Sequence, residues 1–278
     1  MREMDHFVVR LAGWETAGEE ILGDAAYYAD LLVKYKAIVF KNLRPSREEH
    51  IKILGVLYQG TCEDLRYGDR WDEDHKFMFE RDLASLGDIM PIDRRHGWHS
   101  DMPLLAQIPA LQSIHMTKFE DIPEGTGRTW FIDLEQLYAG LSPHQKEWLQ
   151  TATFTHGQSA AEGLATVTPH PEVNDLKTYP AIRIHPVTGN KNLFISGPTD
   201  TPTPNDEAAK EIQQVVWDAM SQYDKPNSLK YVHEWEVGDL IVWDNRNTIH
   251  TFEGGWKYGS RIFDKVEYGY ETPLFCPA

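Results

Sequence analysis

Short apolar segments bounded by polar turns recur through most of this chain, while helical spacing of apolar residues is confined to a few stretches. Tyr28, Leu31, Leu32 and Tyr35 fall on one side of a helix that Asp24 can cap and that runs to about Lys36. Ala37-Ile38-Val39-Phe40 follows as a buried strand. Ser46 with Glu49 is a capping-box pattern; it opens a helix carrying Ile51, Leu54, Leu57 and Tyr58, with Gly60 as the expected stop. Ser142, Pro143 and Gln145 repeat that start signal for a short helix. Ile212, Val216 and Met220 mark the longest helix, from about Asn205 to Gln222. Strands are expected at 110–119, 128–132, 151–156, 180–185, 192–196, 229–235, 239–243, 248–252 and 259–267, with turns at Gly189-Asn190 and Gly238-Asp239. Many short strands with peripheral helices predict a mainly β core of two sheets, a jelly roll, rather than an alternating βαβ fold. No repeat, low-complexity tract or linker interrupts the pattern, so one domain is expected over residues 1–278.

Composition narrows the partners more than the fold. With 278 residues, 41% hydrophobic and 25% charged, the chain can bury one sizeable core. A net charge of -16 repels phosphate backbones, so nucleic acid is not an expected partner. No apolar window is long enough for a membrane span, and the N-terminus lacks the basic and apolar regions of a secretory signal. Two distant cysteines, Cys62 and Cys276, are expected as free thiols in a cytoplasmic protein. A small molecule remains as the expected partner.

The chemistry concentrates in Gly97-Trp98-His99-Ser100-Asp101 and in the segment from Trp243 to His250. His99 and Asp101 are two apart, so on a strand both point the same way, roughly 6–7 Å apart along the chain. If the fold delivers His250, two imidazoles and a carboxylate hold one face of an octahedral ion and leave three positions open. That facial set is the mark of non-haem Fe(II) oxygenases. A Zn2+ hydrolase with three protein ligands and a water is the alternative from another class. A binding protein on a degenerate fold of this kind is a third, against which the intact ligand set argues. His115, His156, His185 and His233 read as packing or surface residues. Glycines after His250 suggest a hairpin centred near Gly255-Trp256, which sets His250 opposite Arg261. Arg261 then reaches into the cavity, where its fork can grip a carboxylate, with Phe263 and Lys265 on the same face.

These blocks resemble, in the correct order, the taurine dioxygenase / 2,4-D dioxygenase family of Fe(II)- and 2-oxoglutarate-dependent oxygenases. The resemblance covers most of the chain. Lys34 to Asn42 resembles the family's early helix-to-strand passage, and Trp98-His99-Ser100-Asp101 is similar to its W-H-x-D. Thr126 to Asp133 resembles G-G-x-T-x-F-x-D, and His185 to Phe194 resembles H-P-x-T-G-x-x-x-L. Gly238 to His250 is the most recognisable block. The resemblance implies a double-stranded β-helix (a jelly roll, cupin-like). It implies His99, Asp101 and His250 as iron ligands, Thr129 and Arg261 as the anchor of the co-substrate's distal carboxylate, and O2 as oxidant. A carboxylate at 101 implies oxygenation rather than halogenation. The family's members are often dimers or tetramers, which leaves a homo-oligomer open.

Three departures bear on the substrate. The family's second arginine, four residues after the first, is Lys265 here. The stretch between Gly60 and His99 lacks the family's usual sequence, and Gly254 to Tyr258 replaces its usual turn. These argue against taurine. Basic residues near the site, Arg66, Arg95 and Lys265, with Trp98, are the expected substrate contacts. They suit a small molecule bearing a carboxylate, an amino acid among the options. Hydroxylation is the expected outcome; desaturation, cyclisation and C–heteroatom cleavage share the same cofactor chemistry.

Overall fold

The computed structural model describes residues 2–5, 7–13, 17–60, 78–81, 97–156, 176–197, 200–221, 229–257 and 259–276. Seven strands make the larger sheet: β1 (Arg2–Asp5), β2 (Val8–Leu11), β3 (Ala37–Phe40), β13 (Leu240–Asp244), β5 (Ile108–Phe119), β15 (Arg261–Glu271) and β4 (Met78–Arg81), in that spatial order. Facing it is a three-stranded sheet of β12 (Lys230–His233), β6 (Thr129–Asp133) and β14 (Thr248–Phe252). Two further three-stranded sheets complete the smaller side. One is β11 (Thr201–Thr203), β7 (Thr153–His156) and β8 (Lys177–Pro180); the other is β10 (Lys191–Leu193), β9 (Ile182–Ile184) and β16 (Leu274–Phe275). This is the expected jelly roll.

Side-chain alternation sorts the core into three layers. On β13, Leu240 and Val242 pack outward against helices α1 (Ala17–Gly23), α2 (Ala25–Tyr35) and α3 (Arg47–Leu57). Ile241 and Trp243 point inward, where they meet Ile114, Met116 and Phe263 of the larger sheet and Phe131 and Tyr231 of the smaller one. On the far side, Trp130, Ile132 and Ile249 pack against α4 (Leu134–Ala139), α5 (Pro143–Leu149) and α6 (Glu207–Ser221). Both faces of β13 are therefore covered, and all five of its residues are buried. That is why Leu240 to Trp243 read as an unbroken apolar run. Each large apolar side chain so buried contributes about 1.5–3 kcal/mol.

Both capping boxes form. Ser46 Oγ accepts from Glu49 N–H at the start of α3, and Ser142 Oγ accepts from Gln145 N–H at the start of α5. Asp24 stands at the head of α2 but makes no side-chain cap. Helix α3 ends at Leu57 with Tyr58 extended, ahead of Gly60. The strand expected at 180–185 is β9, and β8 precedes it in a different sheet. Strand β15 runs on to Glu271.

One expectation is overturned. Strands β14 and β15 do not form a hairpin: β14 pairs with β6, setting His250 opposite Phe131, whereas β15 pairs with β5, setting Arg261 opposite Phe119. The glycines carry the chain from one sheet to the other, with Gly255 and Gly259 at φ 100° and 80°. Period-two alternation reports which face a residue takes but not which strand lies beside it.

Candidate active site

The histidine-bearing segments are joined by backbone. His99 N–H donates to His250 O at 2.8 Å, and His250 N–H donates to His99 O at 3.0 Å. This antiparallel bridge adds the His99 segment to the edge of β14 and sets the two rings 4.4 Å apart between centroids. Between the ligand positions, Ser100 is turned away: its Oγ donates to Ile195 O at 3.2 Å. Asp101 N–H donates to Asn245 Oδ1 at 3.2 Å, and Asn245 Nδ2 donates back to Asp101 O at 3.1 Å and to Pro109 O at 2.9 Å. The third expected ligand is thereby fastened to the turn that precedes the second histidine strand.

One donor atom each from His99, Asp101 and His250 lies within 4.8 Å of the others. Asp101 Oδ1 is 3.7 Å from His99 Nε2, and Oδ2 is 3.6 Å from His250 Nε2. A carbonyl only accepts, so the 2.7 Å contact to Gly97 O makes His99 Nδ1 the proton-bearing nitrogen. Its Nε2 lone pair is left facing the carboxylate. Phe131 stacks on His250 at 5.8 Å, and Trp243 meets it edge-on at 5.0 Å. Burial holds the His250 imidazole well below its ordinary pKa, and the His99 ring and Lys265 push the same way against the opposing pull of Asp101. Burial alone would raise the Asp101 carboxyl. The Lys265 ammonium and both rings outweigh it and hold that group below the usual carboxylate range. Neutral imidazoles and an ionised carboxylate are the forms that bind a cation. Asp101 Oδ2 is buried and has no hydrogen-bond partner. An orphaned anionic oxygen beside two imidazole nitrogens fits a divalent metal held on one face.

A second corner lies along β15 and β6. Thr129 Oγ1 accepts from Trp235 Nε1 at 2.9 Å and from Arg261 Nη2 at 3.4 Å. With both lone pairs engaged, its O–H is left to donate. The Arg261 guanidinium is buried in an aromatic sleeve, 4.8 Å from the Trp256 ring, 5.0 Å from Phe263 and 5.8 Å from Trp235. A guanidinium and a hydroxyl donor so placed suit a buried carboxylate.

The expected substrate contacts fare unevenly. Lys265 Nζ sits 2.9 Å from Asp101 Oδ1 and 3.5 Å from Glu267 Oε1, directly at the centre. Trp98 is instead a core residue, 1% exposed, packed on the outer face of the smaller sheet with its indole donating to Met220 O. Arg66 and Arg95 lie outside the described residues. His156, His185 and His233 are buried within the protein, as is His115 on β5. Sequence reasoning missed Trp235 and Trp256, which carry no spacing signal, and Asn245, which stands inside the motif. It also missed Glu267, which alternation from Lys265 would have reached.

A jelly roll presenting two imidazoles and one carboxylate to a single point has the donor set for a mononuclear metal held on one face. The chain belongs to the taurine catabolism dioxygenase TauD, TfdA family, whose model matches residues 18–262. It is 27% identical over 197 residues to pentalenolactone F synthase of Streptomyces arenae, covering 64% of this chain and 62% of that protein. It is 29% identical over 167 residues to the (S)-phenoxypropionate/alpha-ketoglutarate-dioxygenase of Sphingobium herbicidovorans, covering 55% of each. The matched stretches thus span less than two thirds of these relatives. A taurine dioxygenase from Burkholderia xenovorans has the same fold, with a TM-score of 0.69 at 15% identity over 100% of this chain and 97% of that one. Among the described residues, no helix is long and apolar enough to cross a membrane.

Proposed function

We propose that this chain is a single-domain Fe(II)- and 2-oxoglutarate-dependent oxygenase. In this reading it hydroxylates an unactivated C–H of a small carboxylate-bearing molecule, an amino acid being the favoured class, with release of succinate and CO2. The observation that carries it is the buried Asp101 carboxylate, which faces both imidazole nitrogens and has one oxygen without a hydrogen-bond partner. Iron, when bound, couples O2 reduction and 2-oxoglutarate decarboxylation to oxidation of the C–H bond. His99, Asp101 and His250 would hold it. Arg261 and the Thr129 hydroxyl would grip the distal carboxylate of the co-substrate, with the aromatic sleeve keeping water from that ion pair. Lys265 would orient an acidic group of the substrate beside the metal. A zinc hydrolase on the same ligands would give the Arg261 corner no task. A cytoplasmic setting is part of the same proposal and rests on the sparse cysteines.

Anaerobic titration with Fe(II) and 2-oxoglutarate tests this. A visible metal-to-ligand charge-transfer band is expected, and its absence with intact metal binding would exclude the reading. Arg261→Ala should weaken the 2-oxoglutarate response about tenfold to a hundredfold, the range for a lost charge-assisted contact, while Fe(II) affinity holds. Equal loss of both would remove Arg261 from the co-substrate corner.

A further inference from the structure

One row of side chains crosses three adjacent strands of the larger sheet at a single level. Trp243 of β13 lies opposite Gln112 of β5, and Gln112 lies opposite Glu267 of β15. Direct antiparallel partners share a face. Trp243 packs edge-on against His250, so this face is the interior one that holds the metal donors. The row is buried: Gln112 and Trp243 are wholly inaccessible and Glu267 is 6% exposed. Most of its polar atoms nonetheless make no hydrogen bond. Gln112 Oε1, Gln112 Nε2, Trp243 Nε1 and Glu267 Oε1 all lack a hydrogen-bond partner. Glu267 Oε2 accepts from Tyr270 O–H at 2.5 Å, which fixes the carboxylate, and Oε1 has only a 3.5 Å ion-pair contact with Lys265 Nζ. The adjoining row is Ile241, Ile114 and Lys265, so Lys265 Nζ stands between this cluster and Asp101.

Buried amide, indole and carboxylate groups are normally satisfied. Four atoms without a hydrogen bond in one row, one of them in a long ion pair with Lys265, next to the candidate metal site, describe a binding surface with a definite polarity. Two oxygens accept, one of them on an anion; two N–H groups donate, with an ammonium beside them. We infer that the Trp243–Gln112–Glu267 row is the recognition site for the head group of an α-amino acid. Glu267 Oε1 and Gln112 Oε1 accept from its ammonium, while Gln112 Nε2, Trp243 Nε1 and Lys265 donate to its carboxylate. This rests on the proposed oxygenase function and narrows its substrate class to zwitterions.

The experiment uses the Fe(II)–2-oxoglutarate complex and three probe sets: α-amino acids, the matching acids lacking the amino group, and the matching amines lacking the carboxylate. Two readouts are taken, the anaerobic shift of the charge-transfer band on binding and probe-stimulated succinate release in air. Amino acids are expected to bind about tenfold to a hundredfold more tightly than either truncated set, the range for one charge-assisted contact. Glu267→Gln should erase the preference over the acids lacking the amino group, and Gln112→Met should weaken amino-acid binding, with the charge-transfer band itself retained as proof of an assembled site. Equal binding of amino acids and their des-amino counterparts would overturn the inference and leave the parent reading standing. Equal binding of amines without a carboxylate would overturn the carboxylate-bearing substrate and retain the role of Glu267. Silence from all three sets, with the band present, would overturn both.

Discussion

Two buried aspartates, each flanked by histidine and a cation, use their bonding capacity in opposite ways. Asp244 is saturated. It accepts from His185 Nε2 at 2.9 Å, from Arg246 Nε and Nη2 at 2.8 Å each, and from the Arg246 backbone N–H at 2.9 Å. His185 Nδ1 in turn accepts from the N–H groups of Val187 and Thr188, and Arg246 reaches on to Gln59 O and Glu271. Asp101 has the same kinds of neighbour, but its Oδ2 is open, and both imidazoles point at it from beyond hydrogen-bond length. Burial would raise both carboxyls, and the surrounding cations and rings hold both below the usual range. Residue type and charge state therefore do not separate the two clusters. Unspent lone pairs do.

The largest effect should follow from emptying the open cluster. Asp101→Ala or His250→Ala is expected to abolish Fe(II)-dependent succinate formation while urea unfolding keeps a native-like cooperative transition. Turnover at ordinary rates in either variant would dissolve the proposed distinction. Emptying the saturated cluster should act on the fold instead. Asp244→Ala strands a buried guanidinium, and breaking a buried pair this way costs about 3–5 kcal/mol, to be read as a lower urea midpoint. Weaker metal binding with unaltered stability would show that Asp244 belongs to the centre after all.

The smallest effect sharpens the comparison with a third arrangement, a histidine that has no carboxylate. His50 Nε2 pairs with Ser113 Oγ at 2.7 Å and Nδ1 has no partner, so burial, with help from His115, pushes its pKa down to about 3. The unfolded chain binds this proton near the ordinary value of 6.5, so between those limits unfolding takes up a proton and stability falls as pH drops. His50→Asn should flatten that slope by up to about 1.4 kcal/mol per pH unit. Urea midpoints at pH 7, 5 and 4 measure it, and an unchanged slope would mean that His50 is already charged inside the fold.

Local signals carried the elements far. Ser46 with Glu49 and Ser142 with Gln145 start the helices they announce, since a capping box is complete within four residues of sequence. His99 and Asp101 share a target as their spacing predicted, although only His99 makes a β-bridge and Asp101 lies in a bend. Partnering across sheets is not local. The reading that set His250 against Arg261 found the right interior and the wrong neighbour, because nothing in a glycine turn states whether the chain reverses within one sheet or crosses to another. Trp98 was drawn toward the site by adjacency to His99, but alternation sends it to the opposite face. Gln112 sits among buried residues of β5 and resembles a tolerated polar residue until its cross-strand partners are known.

The crossing between β14 and β15 has a mechanical consequence. It leaves one proposed metal donor on one wall of the barrel and the guanidinium on the other, eleven residues later in the chain. Glu253, clamped by Arg128 at 2.6 and 2.8 Å, fixes one end of this strap, and Trp256, fully buried against Arg261, seats its middle. The strap thus works as a caliper whose jaws are His250 and Arg261. Lengthening it would reset the gap, and with it the length of diacid that could bridge the two.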